Sequence, residues 1–238
     1  MTPGDAGRPD GGGGRTGFWR ANSLTLVFGG AFLLVLACQA VAGRAEFNEQ
    51  LTVAGLQPVG FGAYLATSDF AVDVTENWQS EFLQFFLYVY GTVHLLQRGS
   101  PESKPLDRAG TESEREQRMG DHARADSPRW ASTKDWRQAL YARSLGLTMA
   151  AFFLLSWFAQ SVAGAAAYNG VRLRQLQDPI GWGAYLVSAD FWNRSLQNWQ
   201  SELLAVAAMA VLSVYLRQRG SPESKPVGSA HATTGIEG

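Results

Sequence analysis

Two glutamates are the residues most able to do chemistry in this chain. Glu81 and Glu202 each close an Asn-Trp-Gln-Ser-Glu island, at residues 77–81 and 198–202, and each is followed by an uncharged, mostly apolar run. Helical spacing puts both acids about one turn inside the apolar segment. An acid at that depth is costly unless it faces protein, finds partners or takes up a proton. Candidate partners are Gln39 and Gln160, near the ends of the preceding apolar runs, with Asn48 and Asn169 just beyond. Tyr64 and Tyr185, in the loops, are within reach of the same level. Two readings compete. In one, Gln39 bonds Glu81 and Gln160 bonds Glu202, as interhelical glue worth around 0.6 kcal/mol per contact. In the other, Gln39, Asn77, Glu81, Gln160, Asn198 and Glu202 form a cation or proton site. A symmetric pore is not expected. Asn77, Glu81, Gln84 and Tyr88 make a polar helical stripe, but Ala205 and Met209 stand where the second stripe would continue.

A second recurring motif is Gln-Arg-Gly-Ser-Pro-Glu-Ser-Lys-Pro, at residues 97–105 and again, unchanged, at 218–226. Arg98 and Arg219 suit a helix end near anionic headgroups. Gly99 and Gly220 suit a left-handed helix stop, and the proline that follows prevents continuation. Together with Trp78 and Trp199 these arginines are expected to act as interfacial anchors. Helix stopping does not explain why Glu-Ser-Lys-Pro also recurs. A binding role for Ser100, Glu102 and Lys104, and for Ser221, Glu223 and Lys225, is the alternative.

Other chemistry is weakly supported. There is no phosphate-cradling glycine loop, His-Glu-x-x-His or Gly-x-Ser-x-Gly. His94, His122 and His231 are the only histidines, and no metal or other cofactor is expected. Cys38 is the sole cysteine, so an intrachain disulfide is excluded. It ends a lipobox-like Leu-Val-Leu-Ala-Cys, which keeps a cleaved lipoprotein as a minor alternative. Basic residues between the two motif sets are interleaved with acids, which argues against nucleic-acid binding.

The elements that must position these residues are apolar helices. Net charge is near neutral and mean hydropathy slightly negative, but polar and apolar residues are segregated. Residues 23–43 and 144–168 contain no charge and reach the roughly 20 residues that cross a bilayer. Shorter apolar runs follow the two tryptophans, giving further spans at about 78–97 and 199–217. Residues 21–105 align without a gap on residues 142–226, with roughly 38 of about 85 pairs identical. The expected fold is an all-α integral membrane protein, a four-helix bundle of two tandem two-helix repeats inserted in parallel. Its pseudo-twofold axis would lie along the membrane normal. Residues 1–20 and 227–238 are expected to be disordered tails, and residues 106–141 a polar linker with at most a short helix.

Sidedness follows from positive charge. The N-terminal tail, the segment from Arg98 to Arg143 and the C-terminal end hold about 16 of the 20 Lys and Arg. Both termini and the linker are therefore expected in the cytoplasm of an inner-membrane protein. The two remaining loops, the first of them acidic, are expected outside.

Ser68-Asp69-Phe70, the residues 77–84 and the residues 97–104 resemble an uncharacterised, chiefly actinobacterial family of membrane proteins, domain of unknown function 6766. The resemblance covers nearly the whole chain outside the tails. It implies a membrane location and a helical fold, and it supplies no activity or catalytic residue. The leading functional expectation is a non-enzymatic protein acting through contacts with lipid, a protein partner or further copies of itself. A small transporter or channel using Glu81 and Glu202 is the alternative. A membrane enzyme acting on a lipid-soluble substrate is a distant third.

Overall fold

A computed structural model describes residues 15–235, with side chains from residue 17 onward. The tail residues 1–14 and 236–238 lie outside the described residues. The chain divides into two compact units at Ala66/Thr67. All regular structure among the described residues is helical.

The first unit contains α1 (Arg15–Ala21), α2 (Ser23–Val53) and α3 (Phe61–Leu65). Helix α2 has 31 residues, about 46 Å at ~1.5 Å per residue. It therefore outruns its charge-free stretch by some three turns. It stops at a Schellman motif: Leu56 N–H donates to Leu51 O at 2.8 Å, and Gly55 takes φ +73°. The loop then folds back. Asn48 pairs with the backbone of Val59, donating at 3.1 Å and accepting at 2.7 Å. Tyr64, on α3, is buried with its hydroxyl in the space a Cβ on Gly43 would fill. Only glycine lets the phenol come so close.

The second unit contains α4 (Ser68–Gly91), a 3₁₀ turn (Gly120–His122), α5 (Trp136–Tyr141), α6 (Ser144–Arg174), α7 (Trp182–Leu186) and α8 (Ala189–Tyr215). Helix α6 packs along α4, α4 meets α8, and α7 bridges α6 and α8. The devices of the first unit recur at a spacing of 121 residues. Asn169 pairs with Ile180 at 2.9 and 2.8 Å, and the Tyr185 hydroxyl occupies the Cβ space of Gly164. Tyr185 and Phe191 form a buried core with Ala165, against which Trp157, Tyr168, Ile180 and Leu186 pack.

Helices α4 and α8 begin on hydroxyl caps. Thr67 accepts from Phe70 N–H and Ser188 from Phe191 N–H, while Asp69 and Asp190 sit in the first turn, where the helix dipole favours an acid. Their far ends depart from expectation. Helix α4 stops at Gly91, and α8 runs one turn further in the aligned frame. Gly99 and Gly220 therefore do not terminate helices. Each has φ +84° as the third residue of a turn closed by Ser100 N–H to Gln97 O (3.1 Å) and Ser221 N–H to Gln218 O (3.2 Å).

Helices α2 and α6 are the two described helices long and apolar enough to cross a membrane. The core helix of a soluble protein would be mostly buried. In their most apolar stretches only 6% of α2 and 17% of α6 is buried.

One strained residue separates the two copies. Helix α6 ends on the same Schellman bond, Gln177 N–H to Arg172 O at 2.8 Å, but Leu176 stands at the left-handed position with φ +58°. Non-glycine residues are disfavoured there by roughly 1–3 kcal/mol. The Leu176 side chain is 97% exposed, so no packing compensates. Leu176→Gly is expected to raise stability by about 1 kcal/mol, read as the midpoint of thermal unfolding in detergent. An unchanged or lowered midpoint contradicts this.

Candidate functional site

The N-terminal halves of α4 and α8 carry a polar network. Arg194 donates to the Glu76 carboxylate at 2.9 Å and lies 3.4 Å from Asp190. The Tyr185 hydroxyl donates to the same Asp190 oxygen at 3.0 Å. Beside this network lies a cleft of about 510 Å³. Its lining is wholly polar: Glu76, Asn77, Asp190, Asn193, Arg194, Gln197 and Asn198.

Burial and charge tune these groups. Burial pushes the Glu76 carboxyl up, the bonded Arg194 guanidinium partly offsets this, and Asp190 adds repulsion. Burial also raises the Tyr185 phenol, and the adjacent Asp190 carboxylate raises it further, so the phenol stays a hydrogen-bond donor. At Arg194 burial is the largest influence and opposes the charge, but the bond to Glu76 and the neighbouring charges of Glu76 and Asp190 together outweigh it and the pKa rises. One cation against two carboxylates leaves a net charge of about −1, which favours a small cation over an anion at the cleft.

The sequence-expected residues are partly brought together. Asn77 and Asn198 line the cleft, with their amide nitrogens donating to Asp73 O (2.7 Å) and Arg194 O (2.9 Å) on their own helices. Further along, Glu202 feels the charge of Glu81 and has Ser80 within hydrogen-bonding reach. Gln160 is fully buried on α6, yet neither end of its amide has a partner. The expected Gln160–Glu202 bond is therefore not formed. Gln39 is half-buried on α2, in the first unit.

The two tryptophan anchors diverge. Trp78 is 40% exposed. Trp199 turns inward, and its indole N–H donates to the fully buried Gln79 at 2.7 Å. Its ring joins an aromatic cluster around Trp157, with Phe153 at 5.6 Å and Phe191 at 5.9 Å. Leu36 stands in the aligned place of Trp157, so this cluster belongs to the second copy alone. Arg98 and Arg219 are exposed.

The recurring Glu-Ser-Lys-Pro spends its polar groups within the chain. Ser103 accepts from Gln97 N–H and Ser224 from Gln218 N–H, both at 2.9 Å. Lys104 reaches Gly110 O (2.8 Å) and the Glu112 carboxylate (2.5 Å). Lys225 is fully buried and donates to the carbonyls of Gly99, Ala230, His231 and Thr233. Burial, with help from the nearby Arg217 charge, lowers its pKa. Gly99 N–H donates to Thr234, and Gly235 N–H to Ser100 O. Residues 227–235, expected as a free tail, are thus held against the 97–104 motif. Ser221 accepts from Glu223 N–H at 3.2 Å, and the Glu223 side chain is exposed. Glu102 is half-buried.

Arg194 and Glu76 were not among the site residues expected from the sequence. The Asp190–Arg194 spacing of four on one helix face is a signal that could have found half of the network. The Glu76 pair, 118 residues apart, has no local signal. Among the described residues no group of three or more His, Cys, Asp or Glu side chains is placed to hold a metal ion.

These features define an all-helical protein with two membrane-length apolar helices and a polar cleft at one end of its helix pair. The chain belongs to DUF6766, a domain of unknown function, whose family model matches residues 15–236. No match was found among the curated proteins or among the solved structures.

Two variants test this geometry. Folding raises the Glu76 pKa, so folding favours its protonated form; stability from this group is fully present below the unfolded value and is lost as pH rises through the raised one. Arg194→Gln removes the influences that lower that pKa. The variant is expected to lose on the order of 1 kcal/mol near neutrality, the network being partly solvent-screened. It should regain stability on acidification more steeply than wild type, with Glu76→Gln/Arg194→Gln flattening the profile. A parallel pH profile for Arg194→Gln and wild type contradicts the network. Lys225→Met leaves buried carbonyls unpaired at about 1–3 kcal/mol. It is expected to make residues 227–235 far more sensitive to limited proteolysis, whereas equal cleavage rates would show that Lys225 does not hold the tail.

Proposed function

We propose that this is a multi-pass inner-membrane protein that works by binding rather than by catalysis, through its polar cleft and through contacts with lipid or protein. The cleft carries the reading: seven polar side chains around open volume, with a firmly paired Arg194 and a net negative charge. Four spans fit the sequence, two per copy, inserted in the same sense. Helices α2 and α6 are the long spans; α4 and α8 cross only if the turns before Trp78 and Trp199 project beyond the hydrocarbon. The distribution of Lys and Arg favours cytoplasmic termini and linker, which puts the cleft on the outer face. The tying of Ser103, Ser224, Lys104 and Lys225 into the chain supports a self-clasping role for the recurring motif.

Sidedness is checked in a Cys38→Ser background with single cysteines at Ser127, Ser229, Gln57 or Gln177. The first two are expected to react with an impermeant maleimide only after the cells are broken, and the last two in intact cells. Labelling of linker and loops from the same side would refute the topology.

The nearness of Glu81 and Glu202 favours transport of a cation or proton as the second reading. Proton and alkali-cation flux in reconstituted vesicles separates the two. Binding without transport predicts that wild type and Glu81→Gln/Glu202→Gln vesicles are equally tight. Flux that disappears in the double variant would instead establish transport.

A further inference from the structure

Residues 97–105 and 218–226 are identical, yet the fold uses them differently. Gly99, Ser100 and Pro101 are buried, whereas Gly220 and Pro222 are exposed and Ser221 is half-buried. The turn itself is the same, with φ +84° at both glycines. What covers the first edge is the segment that follows the second motif. Lys225 donates to Gly99 O, Gly99 N–H to the Thr234 hydroxyl at 2.9 Å, and Gly235 N–H to Ser100 O at 3.0 Å. His231 O comes so near that a Cβ on Gly99 would collide with it. A Cβ on Gly220 would meet nothing within 4 Å among the described residues.

The segment after the first motif is built like the one after the second. Arg108 N–H bonds Pro105 O and Ser229 N–H bonds Pro226 O, both at 2.9 Å. Lys104 reaches Gly110 O and Lys225 reaches His231 O, both at 2.8 Å. Gly110 N–H donates to Val93 O, and His231 Nδ1 lies 3.1 Å from the equivalent Val214 O. Ser113 stands in the place of Thr234 and keeps its hydroxyl. These groups retain the bonding capacity that the contact needs. The Lys104 ammonium has three donors, and its side chain is 25% exposed; Gly110 O and Glu112 take two of them. The Ser113 hydroxyl donates to Glu116 and can still accept. Ser221 O takes the Ser224 N–H and has a second lone pair. One of two equivalent contacts is therefore made within the chain, and both halves of the other are open.

We propose that the open halves meet between chains: the 220–222 edge receives residues 104–114 of a second copy. In that contact the partner's Lys104 donates to Gly220 O, Gly220 N–H donates to the partner's Ser113, and the partner's Glu114 N–H donates to Ser221 O. A twofold pair satisfies both open halves of each chain at once and closes the assembly. Charge favours this occupant, since residues 112–116 carry Glu112, Glu114 and Glu116 against Arg115, and the edge carries the exposed Arg219. The inference rests on the reading of this protein as one that works through contacts, and it names a second copy as the partner.

The test uses the full chain in a Cys38→Ser background, with Glu114→Cys on one tagged chain and Ser221→Cys on a second, coexpressed chain. A short thiol crosslinker added to membranes is expected to join the two tags in a two-chain species, and wild type in mild detergent to have the protein mass of two chains. Asparagine tolerates left-handed backbone, so Gly220→Asn should keep a thermal midpoint close to wild type, cut the crosslinked yield about tenfold and give the one-chain mass. Arg219→Glu leaves the backbone alone and should lower the yield in the same direction. Gly99→Asn, in the identical motif, should instead lower the midpoint and expose residues 227–235 to proteolysis. Absence of the crosslink, a one-chain mass for wild type, species larger than two chains, or a pair that survives both edge variants overturns the proposal. Such a failure with Ser127 and Ser229 cysteines still labelling from the same side removes this contact alone; labelling from opposite sides removes the membrane topology as well.

Discussion

Everything in this molecule depends on what solvates α2 and α6. Phe28, Leu33, Leu34 and Val35 on α2, and Leu154, Leu155 and Phe158 on α6, are exposed along charge-free helices. Each such side chain left in water forgoes about 1.5–3 kcal/mol of burial. A chain of this size has far too little buried core to offset so much wetted hydrocarbon; the described core is small and built around Tyr185 and Phe191. Lipid removes the penalty, because in lipid an outward Leu is already at home. The same solvent explains why the helix bodies differ between the copies while the polar islands match, since hydrocarbon accepts any apolar residue of suitable size.

Outside those apolar stretches, polar groups are tied down within the chain, because a buried polar group without a partner is costly. Asn48 and Asn169 close their loops by pairing with both backbone groups of Val59 and Ile180. Gln79 takes the Trp199 indole N–H, and Lys225 finds four carbonyls. Arg194 is shared between Glu76 and Asp190. Gln160 stands out because its buried amide is left unpaired at both ends.

The legibility of the sequence followed the range of the interactions. Helices α2 and α6 could be read directly, because a charge-free run of about 20 residues has few other meanings. Glycine at residues 99 and 220 announced a left-handed backbone, but not its setting. A turn beyond the helix and a helix stop ask for the same residue, and only the early end of α4 at Gly91 separates them. The recurrence of Ser103 and Ser224 was visible, while its reason, capture of the Gln97 and Gln218 N–H groups, needed coordinates. The inward turn of Trp199 onto Gln79 was not legible, because a tryptophan beside a hydrophobic run looks the same in the sequence whichever way it points. The pairing of Arg194 with Glu76 was beyond reach, since nothing local couples residues 118 positions apart.

Cys38 allows the most direct test of the solvent. It is the only cysteine in the chain, and it lies exposed within the charge-free part of α2. A nitroxide attached there in the otherwise unaltered protein, reconstituted in lipid, reports collisions with oxygen, which concentrates in hydrocarbon, and with a neutral nickel chelate, which stays in water. A helix solvated by lipid predicts frequent oxygen collisions and few with nickel. Frequent nickel collisions, or protection from both, would mean that α2 faces water or protein at that depth, and the account would be wrong.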